Sequence, residues 1–220
     1  MGFTFRQKLE TFWILIKEPK VLKSLLSLRT FGYLIDVGWF QAFNRGEPVD
    51  KNCEPLPWLT YSFIDFIAER LSKEFNAFEF GSGNSTLFFA KRVKQVHSVE
   101  HNSEWFKKLL NQLPSNSDLE LSISENSEDY IAVIKKSNIK FDIIIIDGIH
   151  RVECCYCAPD YLSSKGVIIL DDSERNEYLE GRKYLINEGF RQINFWGIPP
   201  GKLIRKCTTV FYRNNNCLGI

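Results

Sequence analysis

Two acid-bearing stretches and one glycine turn hold the residues with which this chain can do chemistry. Asp147-Gly148-Ile149-His150 follows the apolar run FDIIII, and Asp171-Asp172 follows GVIIL. Three carboxylates at two strand ends offer clustered hard oxygens of the kind magnesium takes, and the imidazole beside them can accept a proton near neutral pH. The plain alternative is that the aspartates cap the helices after them and that His150 is a solvated loop residue. The third stretch, AFEFGSGNST over residues 77–86, runs an apolar strand into Gly81 and Gly83. Both glycines can take positive φ and let a ligand come against the backbone. Asn84, Ser85 and Thr86 supply oxygens at the start of the helical run LFFAKRV, where free N–H groups suit a carboxylate or a phosphate.

What the turn lacks narrows the ligand. In a dinucleotide fingerprint a third glycine allows close helix–strand packing, and Thr86 stands in its place. That disfavours a nicotinamide-dependent oxidoreductase. Glu79, two residues before Gly81, repels a pyrophosphate and attracts an ammonium group such as the one S-adenosylmethionine carries. QVHSVEHN then reads as a second strand ending in Glu100, 21 residues after Glu79, where a ribose-binding carboxylate belongs in a βαβ unit. A structural turn with no ligand is the other reading of the same residues.

Glu79-Phe80-Gly81-Ser82-Gly83-Asn84-Ser85-Thr86 together with Glu100 resembles the first two motifs of the class I S-adenosylmethionine-dependent methyltransferases, and the resemblance extends over residues 56–213. It implies cofactor contacts from Glu79, Gly81, Ser82, Gly83, Asn84, Ser85, Glu100 and His101. It also implies one from Ser124, in the turn after the third strand, where Glu125 and Asn126 are further candidates and helix capping explains all three equally well. Asp147 to His150 with Asp171-Asp172 resembles the metal-dependent O-methyltransferases that act on sugar hydroxyls. On that resemblance Asp147, Asp171 and Asp172 hold Mg2+, and His150 with Asp147 handles the proton. Ile149 departs from the pattern, since an acidic residue often precedes the histidine there. The implied function is methyl transfer from S-adenosylmethionine to a hydroxyl of a small acceptor, a sugar in the first instance. A non-catalytic S-adenosylmethionine-binding or scaffold protein is the reading outside enzymes.

The elements that must position these residues alternate strand and helix from residue 58 onward, which predicts an α/β fold with a three-layer, doubly wound, mostly parallel sheet. The segments FRQINFW and CTTVFYR, joined through Pro199-Pro200-Gly201, fit the antiparallel C-terminal hairpin that makes seven strands in class I methyltransferases. FDIIII has no alternation over its last four residues, as a strand covered on both faces requires. Trp58 and Tyr61, entering just before the first strand, are either pocket wall or core. Ser103 is the expected cap of the helix that carries Trp105 and Leu109.

Residues 1–57 read as an N-terminal helical arm followed by a loop-rich connector, and residues 58–220 as the Rossmann-like domain. The arm is basic, with Pro19 dividing two apolar pieces. It is read as packed on the core or on a second copy in a homodimer, as a peripheral contact with an anionic membrane, or as a lid. A net charge of +1 gives no global basic field, so no nucleic acid is expected as partner. The polar opening residues and the short run 12–16 do not make a secretory leader, and six cysteines without framework spacing fit a reducing compartment. The expectation is therefore a cytoplasmic protein, or one peripheral to a membrane, with its thiols packed on or near a helix.

Overall fold

The computed structural model describes residues 4–123 and 126–220. Seven strands form one sheet: β1 (Asn76–Phe80), β2 (Gln95–Glu100), β3 (Ser117–Leu121), β4 (Phe141–Ile146), β5 (Leu162–Leu170), β6 (Arg191–Gly197) and β7 (Lys206–Tyr212), in the order 3-2-1-4-5-7-6. β1 to β5 pair in parallel, and β7 pairs antiparallel with both β5 and β6. The expected three-layer sheet and its C-terminal hairpin are present.

The helices are α1 (Phe5–Lys17), α2 (Pro19–Ser27), α3 (Tyr33–Asp36), α4 (Trp39–Arg45), α5 (Tyr61–Ala68), α6 (Asn84–Ala90), α7 (Ser103–Leu110), α8 (Ser127–Lys135), α9 (Arg151–Cys157) and α10 (Leu179–Asn187). The isoleucine run of β4 shows why the sheet needs both helical layers. Ile143 and Ile145 join one apolar core with Phe63 and Ile67 of α5 and Phe89 of α6. Ile144 and Ile146 join the other with Tyr130 and Ile134 of α8 and Leu185 of α10. Successive side chains of a strand point to opposite faces, so an unbroken apolar run is the pattern of a strand with no wet face. Each such side chain contributes about 1.5–3 kcal/mol by leaving water.

Register brings the chemistry to one edge. Phe80 pairs with Val99 on β2 and with Ile146 on β4, and Ile146 pairs with Leu170 on β5. The next residues of these chains, Gly81, Glu100, Asp147 and Asp171, therefore stand level. β7 runs the other way, with Thr209 opposite Leu170, so its first residues, Lys206 to Thr208, reach the same edge.

Several local expectations need correction. Asn102 caps α7, its side chain accepting from the N–H groups of Glu104 and Trp105, and Ser103 is the first helical residue. Thr60 precedes α5 without a side-chain cap; its hydroxyl donates to the Phe195 carbonyl instead. The connector is packed structure: Trp39, Ala42, Val49 and Leu56 are buried, and a Cβ on Gly201 would come within 2.8 Å of the α4 backbone. α1 and α2 bury no residue at all, so the arm does not pack on its own core. Among the described residues no helix is long and apolar enough to cross a membrane. All six cysteines are free thiols. Cys154 and Cys155 are buried on α9, and Cys155 sits against Gly181 of α10, where a Cβ would stand 3.0 Å from its sulfur. Burial pushes the Cys155 thiol up to about 12, which leaves it an inert packing group.

Candidate functional site

The glycine turn after β1 is held by contacts that leave no room for side chains. Gly81 has φ of 100°, and a Cβ there would stand 2.9 Å from the backbone nitrogen of Gly148. A Cβ on Gly148 would in turn meet the Tyr130 hydroxyl at 2.2 Å. The loops after β1 and β4 thus touch backbone to backbone. Thr86, in the place of a third glycine, is a structural link: it accepts from the Gly83 N–H at 3.1 Å and donates to Glu79 Oε2 at 2.5 Å. Ser98 also donates to that oxygen, at 3.3 Å. Glu79 Oε1 is buried with no partner. Complete burial, opposed by the surrounding hydroxyls of Ser85, Thr86 and Ser98, pushes this carboxyl up to about 8.

Glu100, at the end of β2, is buried and fully engaged. One oxygen accepts from the Ser82 N–H at 3.1 Å and the Ser82 hydroxyl at 2.7 Å; the other accepts from the N–H groups of His101 and Asn102 at 2.9 and 2.8 Å. The exposed His101 ring lies 3.2 Å from the same carboxylate. These residues, with Gly81, Trp105, Asp147 and Gly148, line a recess of about 470 Å³. The Trp105 indole N–H donates to the Ser82 carbonyl at 2.9 Å and so pins the wall to the turn. A second recess of about 260 Å³ adjoins it, sharing Ser82, Trp105 and Asp147, and adds Gly83, Asn84, Ser85, Trp58, Asp171, Asp172, Lys202 and Lys206. The Asn84 side chain donates to the Pro48 carbonyl at 2.8 Å, closing that recess on the connector side. A larger hollow of about 590 Å³ lies around His97 and Asp118. It holds neither the glycines nor the acids at the strand ends, and in open α/β sheets ligands gather at the carboxyl edge.

The three aspartates do come together, but with cations already among them. Lys206, nearly buried, forms ion pairs with Asp171 and, at 2.7 Å, with Asp172; it also donates to the Trp58 carbonyl at 3.1 Å. The Thr208 hydroxyl donates to the other Asp171 oxygen at 2.7 Å. Asp172 is completed by Arg175 at 2.6 Å and Arg151 at 3.6 Å, and Asp147 by Arg151 at 3.0 Å. Arg151 further donates to the carbonyls of Asp147, Gly148 and Asp171, tying β4 to β5. Burial raises the Asp172 carboxyl, yet Lys206, Arg151 and Arg175 outweigh it and hold the group below the usual range. Complete burial, with Asp147 and Asp172 adding to it, pushes Asp171 up against the pull of Lys206.

Magnesium does not fit this arrangement. It needs free carboxylate oxygens and several waters in an octahedron, and these oxygens already receive three side-chain cations. Among the described residues no group of three or more His, Cys, Asp or Glu is arranged to hold an ion. His150, at φ of 51°, turns its ring toward Tyr130 at 6.0 Å between centroids, its Nε2 buried without a partner, and it lines neither recess. The imidazole and the acids share a loop without sharing a cavity. Ser124 and Glu125 lie outside the described residues.

Sequence reasoning passed over Lys206, Lys202, Arg151 and Trp105. Thr208 lies within the expected hairpin strand CTTVFYR and Lys206 just before it, whereas β7 begins at Lys206; a lysine beside an otherwise apolar strand is the available signal. Arg151, four residues after Asp147, was another. Trp105 was counted as helix apolar face. Trp58 proves to be recess wall, its indole N–H bound to the Pro200 carbonyl and Lys202 lying 4.3 Å over its ring, whereas Tyr61 is core.

No family model matches the sequence, and no curated protein matches it. Solved structures do share its fold. Precorrin-6y C5,15-methyltransferase from Geobacter metallireducens is 13% identical with a TM-score of 0.55, over 70% of this chain and 87% of that one. Precorrin 8W decarboxylase from Methanobacterium thermoautotrophicum is 19% identical with a TM-score of 0.51, over 70% and 88%. An rRNA methylase from Streptococcus thermophilus, 19% identical over 67% and 90% with a TM-score of 0.45, stands among the looser matches. The expectation that nucleic acid is no partner is withdrawn: it rested on near-neutral net charge over the whole chain, which does not exclude a local basic surface. What this chain shares with the precorrin methyltransferase and the precorrin decarboxylase is the fold.

Proposed function

We propose that the protein transfers a methyl group from S-adenosylmethionine to a hydroxyl of a small acceptor, and that it does so without a metal. The observation that carries the reading is the pair of adjoining recesses at the carboxyl edge, one floored by the glycine turn and walled by Glu100, the other walled by Trp58 and Lys206, with Asp147 in both. S-adenosylmethionine supplies an electrophilic methyl on a positively charged sulfur. Glu100 is placed to exchange its hydrogen bond from the Ser82 hydroxyl for those of ribose hydroxyls, at about 1.5–3 kcal/mol for each charged bond. Glu79 braces the turn beneath that recess through its hydrogen bonds from Thr86 and Ser98.

Asp147 takes the proton in this reading. Arg151 holds one of its oxygens, which fixes the carboxylate where the two recesses join, and a general base in such a position typically gives about 10²–10⁴-fold. The second recess, with two indoles among polar groups, suits a single-ring polyhydroxylated acceptor such as a sugar. Calorimetry with S-adenosylhomocysteine in excess chelator, followed by transfer of labelled methyl to monosaccharides, polyols, phenols and amines, tests the proposal. Binding unaffected by chelator and label on a hydroxyl are expected. No binding refutes the cofactor, and label on amines alone refutes the acceptor class.

A further inference from the structure

The first two helices take no part in the site, yet they carry a run of exposed large apolar side chains. On α1 the residues Phe5, Leu9, Phe12, Trp13 and Ile16 recur at the helical period and form one stripe. They are far from marginal in exposure: Phe5 is 80% exposed and Trp13 55%. α2 adds Leu25 and Leu26, the latter 66% exposed. Apolar surface left in water is unfavourable, and among the described residues nothing buries it.

Charge points to what does. Residues 4–30 hold Arg6, Lys8, Lys17, Lys20, Lys23 and Arg29 against Glu10 and Glu18, a net charge of +4; the whole chain is +1, so the remainder is −3. At about 100° per residue, Arg6, Lys8 and Lys17 fall on either side of the α1 stripe, where long cationic side chains reach the headgroups while their neighbours sit among acyl chains. We propose that α1 and α2 lie on an anionic lipid surface, with the stripe seated at the boundary of headgroups and acyl chains and the rest of the fold held above it. RNA would satisfy the lysines and leave the stripe wet. A second copy would cover the stripe and bring two arms of +4 together. Neither helix is long enough to span, so the contact is peripheral. The inference stands independently of the reaction proposed above.

Co-sedimentation of the full chain with vesicles of phosphatidylcholine alone, and of phosphatidylcholine with phosphatidylglycerol, tests it. Binding to the anionic vesicles that weakens with salt is expected. Lys20→Glu with Lys23→Glu should lower the partition roughly 10²–10³-fold, and Trp13→Glu should also release the protein. Both variants should keep the circular dichroism spectrum and the Tm of the parent, which shows that the fold survives. Three results overturn the proposal: no binding to anionic vesicles, equal binding to both vesicle types, or a stable dimer in solution that Trp13→Glu dissociates.

Discussion

Replacing Glu79 by Gln keeps the shape of the side chain under the glycine turn and removes only its titration. The wild-type carboxyl moves from an ordinary value of 4.5 to about 8 because burial disfavours its charge. Between those two pH values the folded chain holds a proton that the unfolded chain has released, so the stability this group provides is complete below 4.5 and is lost as pH rises toward 8. At roughly 1.4 kcal/mol per pH unit the loss is about 4–5 kcal/mol. Glu79→Gln has no such loss: its carbonyl accepts from Thr86 as Oε2 does, and its amide occupies the position of the unpaired Oε1. Urea denaturation from pH 5 to pH 9, followed by tryptophan fluorescence, should find the two proteins similar at pH 5 and the variant several kcal/mol more stable at pH 9. Parallel stability profiles would refute the claim that a buried, protonated carboxyl supports the turn.

Lys206→Met should lower stability by about 3–5 kcal/mol, since it strands the buried Asp171 carboxylate, and lower Tm by about 10–15 °C for a chain of this size; an unchanged calorimetric Tm would show that the lysine is no structural counter-ion. Glu100→Gln should weaken S-adenosylhomocysteine by about 10–100-fold through lost charged hydrogen bonds, as calorimetry reads directly, and equal affinity would remove Glu100 from the ribose contact. Asp147→Asn should reduce kcat by about 10²–10⁴-fold, whereas His150→Ala, whose ring lines neither recess, should leave it within a few-fold; the reverse order of effects would restore the histidine as base.

How much could be read from the chain depended on distance along it. FDIIII, the glycine turn and Glu100 are local patterns whose physics is complete within a few residues, and each was placed correctly in the sheet. Asp171 with Lys206 is a contact across 35 residues, and Trp58 with Lys206 one across 148; composition and spacing hold no record of either. The magnesium reading failed for this reason. Clustered acids look alike in a sequence whether a metal or a lysine from a distant strand stands among them. His150 is a different case: it follows β4 where the sequence places it, and with its backbone left-handed its ring stands against Tyr130, which spacing along the chain does not reveal.

The mutual contact of Gly81 and Gly148 has a mechanical consequence. Where neither loop admits even a methyl group between them, residues 80–83 and 147–149 move as one body, backed by the Tyr130 hydroxyl. The floor beneath both recesses is rigid, and it cannot be reshaped one residue at a time without displacing its other half. The roof is of another kind. Trp58, Pro200 and Lys202 meet through an indole N–H, a carbonyl and a cation over a ring, contacts made largely by side chains. On the reaction proposed above, the choice of acceptor would be a property of the roof, and it could change while the floor stays the same.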